Sequence, residues 1–255
     1  GFSQSLGLRS NGTVLAWGGG NLPVAPANLT NAASIHVAKA SGSLVMNCFA
    51  IRSNCTLVAW NNNGDYYSGG TLTNIPAGLI GVVGVAAGAY HALALKSDGS
   101  ITAWQAYSDY GANVPPAAIS NANNFIAIAA GFSHSLALRT NGTVVAWGSN
   151  GYNQTNVPAN LSNVVAIAAG GYHNLALKAD GTVTVWGQNT YNQTNVPVPY
   201  TNLFAVSGGS GHSIALNGAA DPAIVRQPQP ATGLIGQTAL LSIGVVSRQF
   251  VCYQW

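Results

Sequence analysis

Apolar and polar positions alternate in short blocks along most of the chain. Residues 164–187 (VVAIAAGGYHNLALKADGTVTVWG) contain three short apolar runs, separated first by Gly170-Gly171 and then by Asp180-Gly181. Runs of this length bounded by Gly-rich breaks are typical of strands, and the breaks leave no uninterrupted segment of helical length. The pattern therefore predicts a strand, a bend, a second strand, a hairpin turn and a third strand.

This block recurs along the chain. Tryptophan marks its end and, in four copies, histidine marks its middle, while Gln4 and Asn47 take the histidine position in the first two copies. The markers are Trp17, Trp60, Trp104, Trp147 and Trp186, with His91, His134, His173 and His212. A period near 40 residues occurs in both helical arrays and propeller blades, and the short strands favour blades.

The turn between the second and third strands carries Asn-Gly or Asp-Gly at Asn11-Gly12, Asp98-Gly99, Asn141-Gly142 and Asp180-Gly181. These pairs are favoured in two-residue hairpin turns with positive φ at both positions. In the second copy Cys55 replaces the glycine. We therefore expect a strained or remodelled turn there.

The strands are apolar on nearly every position, as expected where both faces are covered. Small residues such as those of IAAG (167–170) suit an innermost strand, where blades crowd together, and the bulky tryptophans suit the wider outer part. We therefore predict an all-β fold, a β-propeller of four-stranded blades.

The motif GxxHxLALxxxGxVxAWG, followed by polar loops such as YNQTNVP, closely resembles the repeat of the regulator of chromosome condensation family over residues 1–218. It is also similar to short-repeat bacterial propellers, including the secreted propeller-type β-lactamase inhibitory proteins. The resemblance implies a ring that usually has seven blades, of which this sequence supplies about five and a half, incomplete at its N-terminus. We do not expect the exchange-factor activity of the family's eukaryotic prototype, because the charged segments on which that activity relies are absent here.

The composition changes after residue 218. Three prolines fall within residues 219–231, which we interpret as a linker, and residues 232–255 resemble the start of a bacterial immunoglobulin-like domain, with Trp255 as its core tryptophan. The chain is therefore expected to be part of a longer multidomain protein, extracellular or on the cell surface, with its signal segment outside this sequence.

Charge excludes some partners. Charged residues make up only 5% of the sequence, and the net charge of +3 comes from scattered lysines and arginines, so we expect no binding to nucleic acid. No apolar run reaches the ~18 residues of a membrane helix, so we expect no membrane insertion.

Few residues offer catalytic or metal chemistry. The only acids are Asp65, Asp98, Asp109, Asp180 and Asp221, which are scattered over turns, loops and the linker. The histidines follow Gly-rich bends, where a ring nitrogen would bond a backbone carbonyl and tie neighbouring blades; we expect a structural role and no metal. Cys48, Cys55 and Cys252 are interpreted as free thiols, with a strained bridge between Cys48 and Cys55 as the alternative. We expect no catalytic residues and no cofactor.

The polar loops after each tryptophan remain as a candidate binding surface. Propeller symmetry places them on one side of the disc, and tyrosine and asparagine suit interfaces. The candidate binding residues are Tyr66, Tyr67, Tyr107, Tyr110, Tyr152, Asn153, Tyr191 and Asn192. The alternative is that Tyr152 and Tyr191 pack against the next blade while the asparagines cap turns.

These observations predict a non-catalytic extracellular module that binds a protein or glycan through its loop face. Three alternatives are a secreted inhibitor of the β-lactamase-binding type, a purely architectural spacer, and a hydrolase or lyase with its carboxylates elsewhere in the protein.

Overall fold

The chain forms a series of small antiparallel sheets in the computed structural model. The structure describes residues 4–18, 22–38, 47–61, 72–105, 111–112, 114–197, 201–217, 223–226 and 244–246. Within them the one helix, α1 (Ala117–Ser120), precedes the fourth unit, and no described helix has the length and hydropathy to cross a membrane.

Six repeat units follow one another within the described residues. The first unit has strands β1 (Gln4–Leu8) and β2 (Val14–Gly18), and the sixth has β15 (Leu203–Gly208) and β16 (Ser213–Asn217). The second to fifth units are three-stranded: β3 (Ala32–Val37), β4 (Cys48–Arg52), β5 (Leu57–Trp60); β6 (Val82–Ala87), β7 (His91–Lys96), β8 (Ile101–Gln105); β9 (Phe125–Ala130), β10 (His134–Arg139), β11 (Val144–Gly148); β12 (Val164–Ala169), β13 (His173–Lys178), β14 (Val183–Gly187).

Each three-stranded unit is an antiparallel meander, whose strands we call inner, middle and Trp strand in chain order. The described residues give three strands per sheet, one fewer than the four predicted per blade. Where it is described after β11 and β14, at residues 149–163 and 188–197, the segment after the Trp strand turns on itself through short-range hydrogen bonds.

Consecutive sheets pack face to face as blades. The middle strand is the most buried part of each central unit, because neighbouring sheets cover both of its faces. One core cluster shows the pattern: Leu93 and Leu95 of the third unit pack with Ala137 and Trp147 of the fourth. The prediction that these strands are covered on both faces is therefore confirmed.

The hairpin turns differ from the predicted two-residue type. The Gly12 N–H donates to the Arg9 carbonyl and the Arg9 N–H to the Thr13 carbonyl, so the turn has three residues, and only its glycine has positive φ, at 78°. The Asn11 carboxamide oxygen accepts bonds from the Thr13 N–H and hydroxyl. The asparagine is thus selected for this side-chain bond rather than for a positive φ of its own.

The same turns join each blade to the next. In the fourth unit the Gly142 carbonyl accepts the Val164 N–H at 3.1 Å, where the next inner strand begins, and Gly12, Cys55, Gly99 and Gly181 do the same in their units. This close approach is a second reason for glycine in the turn, because a Cβ on Gly181 would lie 2.9 Å from the next unit's backbone.

The opposite edge of the sheets carries the GxxH bends. In the fourth unit the Gly131 N–H donates to the His134 carbonyl at 2.8 Å, and the imidazole lies so close over the glycine that a Cβ on Gly131 would collide with it. Along this edge a backbone belt joins the units: Ala89 N–H donates to Phe132, Phe132 N–H to Gly171, and Gly171 N–H to Ser210.

The strands of the first and sixth units are more exposed than those of the central units. Trp17 is 54% exposed, whereas the other four repeat tryptophans are 4–8% exposed. On β16, Ile214 and Leu216 are half exposed.

Strand β17 (Ala223–Arg226) lies in the segment interpreted as a linker and pairs with β18 (Gly244–Val246) from the segment that resembles an immunoglobulin-like domain. The domain boundaries 1–218, 219–231 and 232–255 and the immunoglobulin-like assignment, including Trp255, stay predictions. Most of residues 219–255, Asp221 and Cys252 among them, lie outside the described part of the chain.

Cys48 and Cys55 remain in the thiol form, as predicted. Cys48 is opposite Trp60 in the sheet, whereas Cys55 lies at the turn with a φ of 60°, which confirms the expected strain. Burial raises the pKa of the Cys48 thiol to about 12.

The Gly131→Ala substitution should destabilise the protein by about 1–3 kcal/mol, because the new methyl group collides with the His134 ring. The matched control is Gly151→Ala, whose methyl group meets nothing within 4 Å and should cost less than about 0.5 kcal/mol. Urea unfolding measures both, and equal stability of the two variants would contradict the packing described.

The Cys55→Gly substitution should stabilise the protein by about 1 kcal/mol, because glycine adopts the left-handed backbone without strain. Cys55→Ala retains a Cβ at that φ and should give no such gain. A rise in thermal midpoint for both variants would assign the effect to the thiol instead of the backbone.

Candidate functional site

A polar relay crosses the interface between successive blades beneath the GxxH bends. Between the third and fourth units, His91 Nε2 lies 2.9 Å from Ser135 Oγ, and that hydroxyl donates to the Ala112 carbonyl at 2.8 Å. The Trp147 indole N–H donates to the same carbonyl at 2.8 Å. The Ala112 carbonyl thus accepts two hydrogen bonds, one from the hydroxyl that contacts His91 and one from the Trp147 indole.

The relay repeats in the next two interfaces. His134 Nε2 lies 2.7 Å from Asn174 Oδ1, and the Asn174 amide and the Trp186 indole both donate to the Gln154 carbonyl. His173 Nε2 lies 3.1 Å from Ser213 Oγ, which donates to the Gln193 carbonyl. The residues that follow His134, His173 and His212 therefore belong to the relay, which sequence reasoning missed.

The hydrogen bonds fix the histidine tautomer. The Ser135 hydroxyl donates its one proton to the Ala112 carbonyl, so its oxygen accepts a bond from His91 Nε2–H. Asn174 Oδ1 carries no proton and can only accept a bond from His134 Nε2–H. Each imidazole ring bonds a side chain of the next blade. The expected partner, a backbone carbonyl, is therefore wrong, whereas the predicted tie between neighbouring blades is present.

The three relay histidines, His91, His134 and His173, are fully buried, whereas the marker histidine His212 is exposed. Burial, and secondarily the neighbouring His134, lowers the pKa of His91 to about 3. Among the described residues no group of three His, Cys, Asp or Glu side chains is placed to hold a metal ion.

Acid should therefore weaken the blade interfaces. The unfolded His91 titrates near pH ~6.5 and the folded one near about 3, so the unfolded chain binds more protons between these values. Stability should be complete above pH ~6.5 and fall on acidification, by up to ~1.4 kcal/mol per pH unit for this histidine.

Urea midpoints at pH 7 and pH 4.5 measure this loss, and His91→Asn is the control, because Asn47 occupies the same position in the second unit. The variant should lose less stability on acidification than the parent. An identical loss in both proteins would exclude His91 as the acid-sensitive group.

The polar loops lie on the same side as the bends. The two loops that the structure describes begin with a bond to the bend of their own unit: the Ser149 N–H donates to the Ser133 carbonyl and the Gln188 N–H to the Tyr172 carbonyl. We call this side, formed by residues 149–158, 188–197 and the GxxH bends, the loop face. The hairpin turns occupy the opposite side.

Amide side chains hold each loop in one shape. In residues 149–158, buried Gln154 accepts the Tyr152 N–H at 2.8 Å, Asn150 donates to Asn156, and Asn156 donates to Asn153. The loop at 188–197 repeats these bonds in the equivalent residues. Asn153 and Asn192, at a φ of 59°, lie at the tight point of each turn. The expectation that asparagines cap turns is confirmed here.

Aromatic side chains lie beside these loops. Tyr152 contacts Tyr172 at 5.2 Å between ring centroids, and Tyr172 contacts Phe132 edge to face at 5.2 Å. Tyr152 is 46% exposed and Tyr191 is 73% exposed. Tyr152 thus packs against a neighbouring bend and still presents a large part of its surface.

Four predicted binding residues, Tyr152, Asn153, Tyr191 and Asn192, lie on the loop face, and their binding role stays a prediction. Another four, Tyr66, Tyr67, Tyr107 and Tyr110, lie outside the described residues, as do Asp65 and Asp109. Sequence reasoning missed Phe132 and Tyr172. The signal was present, because aromatic residues recur between the Gly and His of three bends.

The family model described as "Regulator of chromosome condensation (RCC1) repeat" matches residues 82–104, 125–154 and 164–193. These three segments match the RCC1 repeat. The matched segments contain the inner strand, bend and Trp strand of three successive units, and two of them continue into the polar loops. Among curated proteins, none matches this chain.

Solved structures with RCC1-like folds resemble the chain. Prp20p from Saccharomyces cerevisiae is 18% identical with a TM-score of 0.64, over 84% of this chain and 66% of that one. The ectodomain of the Physcomitrella patens receptor kinase CR4 is 18% identical with a TM-score of 0.57, over 72% and 50%. Human WBSCR16 is 17% identical with a TM-score of 0.59, over 85% and 70%.

The chain thus spans two thirds or less of Prp20p and of the CR4 ectodomain. At this level of identity the likeness establishes the fold, and the predicted RCC1-type β-propeller is confirmed.

Proposed function

We propose that the chain is a non-catalytic binding module that recognises a protein or glycan through its loop face, outside the cell or on its surface. The observation that carries the proposal is the exposed aromatic pair, Tyr152 and Tyr191, on loops that are already held in one shape. RCC1-like propellers commonly mediate protein binding, and the Prp20p structure was described with that protein's binding to Gsp1p and histones.

Loop rigidity supports binding. A partner that docks on a flexible loop must order it, which costs about 0.5–1.5 kcal/mol for each immobilised side chain. Here the amides of Gln154 and Gln193 hold the Tyr152 and Tyr191 backbone before any partner arrives. Tyrosine then offers a large apolar area and a hydroxyl group with few rotatable bonds.

The absence of charge from the two described loops indicates the chemistry of the partner surface. Residues 149–158 and 188–197 contain no charged side chain. Recognition by this surface therefore rests on aromatic packing and uncharged hydrogen bonds, and the matching surface is an uncharged polar patch of a protein or a sugar face. The extracellular part of the proposal rests on the low charge and the resemblance of residues 232–255, and the CR4 structure is an ectodomain with this fold.

The test uses the whole chain, immobilised and exposed to extracellular proteins and to a glycan array. Tyr152→Ala combined with Tyr191→Ala should weaken capture of the selected partner by about tenfold or more, because hot-spot tyrosines contribute over 1 kcal/mol each.

The matched control combines Ile80→Ala with Ile126→Ala. These residues are 70% and 53% exposed and lie near the hairpin-turn side of the sheets. Equal loss in both double variants, or no loss in the tyrosine variant, would refute the loop face as the binding surface.

A further inference from the structure

The described hairpin turns carry two chemically related residues at one position. Asparagine occupies it in three units and aspartate in two: Asn11, Asn54, Asn141, Asp98 and Asp180. All five side chains are exposed. Hydrolysis of an asparagine side chain gives aspartate, so the repeat holds both the reactant and the product of one reaction in the same surroundings.

The turn binds both residues in the same way. Asn141 Oδ1 accepts the Thr143 N–H at 3.1 Å and the Thr143 hydroxyl at 2.7 Å. Asp180 Oδ1 accepts the Thr182 N–H at 2.9 Å and the Thr182 hydroxyl at 2.6 Å. These bonds use one side-chain oxygen, which asparagine and aspartate both possess.

The second polar atom of the side chain differs, and the fold favours the charged alternative. Two hydrogen bonds from Thr182 lower the pKa of the Asp180 carboxyl, and Lys178 lowers it further. Asp180 Oδ2 lies 3.4 Å from Lys178 Nζ. The equivalent cation in the fourth unit is Arg139, so a carboxylate in place of the Asn141 amide would have a cation at the same repeat position.

The residue after the asparagine controls access to the amide carbon. Its backbone nitrogen is the nucleophile in the ring-forming attack, and glycine presents no side chain to crowd that attack. Gly142 follows Asn141 with a φ of 77°, whereas Cys55 follows Asn54 with a φ of 60°. Asn54 makes the same two bonds, here to Thr56. The chain thus contains one turn geometry with and without a Cβ beside the reacting amide.

We propose that Asn11 and Asn141 are sites of spontaneous deamidation, at which the folded chain acquires the aspartate of its neighbouring units. The Gly142 nitrogen bonds to Asn141 Cγ, and the amide nitrogen leaves as ammonia with the proton of the Gly142 N–H. Water then cleaves the new bond between Cγ and nitrogen, which restores the ordinary peptide link and leaves a carboxylic acid that ionises. The net reaction consumes one water molecule and releases one ammonia molecule.

The fold also selects between the two products of the cyclic imide. Water attack on the backbone carbonyl of Asn141 gives isoaspartate, which adds one carbon to the backbone of the turn. The Gly142 N–H bonds to Arg139 and the Gly142 carbonyl to Val164, and the added carbon disturbs this pair of bonds. Isoaspartate re-forms the imide, so repeated cycles accumulate aspartate, the product that the turn accommodates.

The reaction leaves a measurable trace in the charge of the protein. Each event removes one unit from the net charge of +3. The hairpin turns lie opposite the loop face, so the proposal does not depend on the proposed function.

The test incubates the folded whole chain in mildly alkaline buffer and follows each asparagine by peptide mass spectrometry, with fragmentation that separates aspartate from isoaspartate. Asn141 should convert at least about tenfold faster than Asn54, because the Cβ of Cys55 raises the barrier to attack. Aspartate should exceed isoaspartate, and isoelectric focusing should show the corresponding acidic forms.

Two variants transfer the reaction to the second unit. Cys55→Gly creates an Asn-Gly pair in the same turn and should raise the conversion rate of Asn54 at least about tenfold. Cys55→Ala also removes the thiol but retains the Cβ, and it should leave that rate unchanged. A third variant, Asn141→Asp, represents the product and should raise the urea midpoint at neutral pH.

Three outcomes would overturn the proposal. The first is an unmodified Asn141 in the folded chain after a period in which the urea-unfolded chain has converted. The second is an equal rate at Asn54 in Cys55→Gly and Cys55→Ala. The third is a lower urea midpoint for Asn141→Asp than for the parent, because the turn would then reject the product.

Discussion

The blade stack depends on one carbonyl at each interface. Ala112 and Gln154 each accept a tryptophan indole and a side chain that links to the preceding histidine, so the loop, the Trp strand and two middle strands meet at one oxygen. Because these groups are buried, each unmade bond would cost about 1–3 kcal/mol. The same interface brings together the apolar residues of adjacent sheets, so polar and apolar contacts select the same register.

Backbone bonds reinforce this register at both edges of the stack. On one side the GxxH bends bond to one another, and on the other each hairpin turn bonds to the start of the next inner strand. The two glycines of the repeat belong to these two belts, where a Cβ would meet either the imidazole or the neighbouring backbone. The loop face is therefore built on a frame that is fixed at both ends.

Much of this fold was predictable from sequence, because periodic markers report repeated environments. Trp147 and His134 revealed the repeat, and Gly142 revealed the turn. The turn type was not predictable, since Asn-Gly is compatible with both two-residue and three-residue hairpins, and the choice depends on the Asn141 bond to Thr143. The relay partners Ser135 and Asn174 could not be recognised either, because their role depends on contacts between blades that no local pattern encodes. Of the candidate site, the sequence located the loops and Tyr152, whereas the aromatic neighbours Phe132 and Tyr172 required the sheets to be placed side by side.

Anchoring each loop by a main-chain atom has an evolutionary consequence. The indoles of Trp104 and Trp147 bond to the carbonyls of Leu72 and Ala112, and those of Trp60 and Trp186 bond to Pro23 and Gln154. Four different residue types serve here, because every amino acid carries the acceptor. The stretch between a tryptophan and the next anchor also varies in length, being longer from Trp60 to Leu72 than from Trp147 to Gln154. Mutation can therefore diversify these loops in length and chemistry without disturbing the blades, much as hypervariable loops diversify on a constant framework.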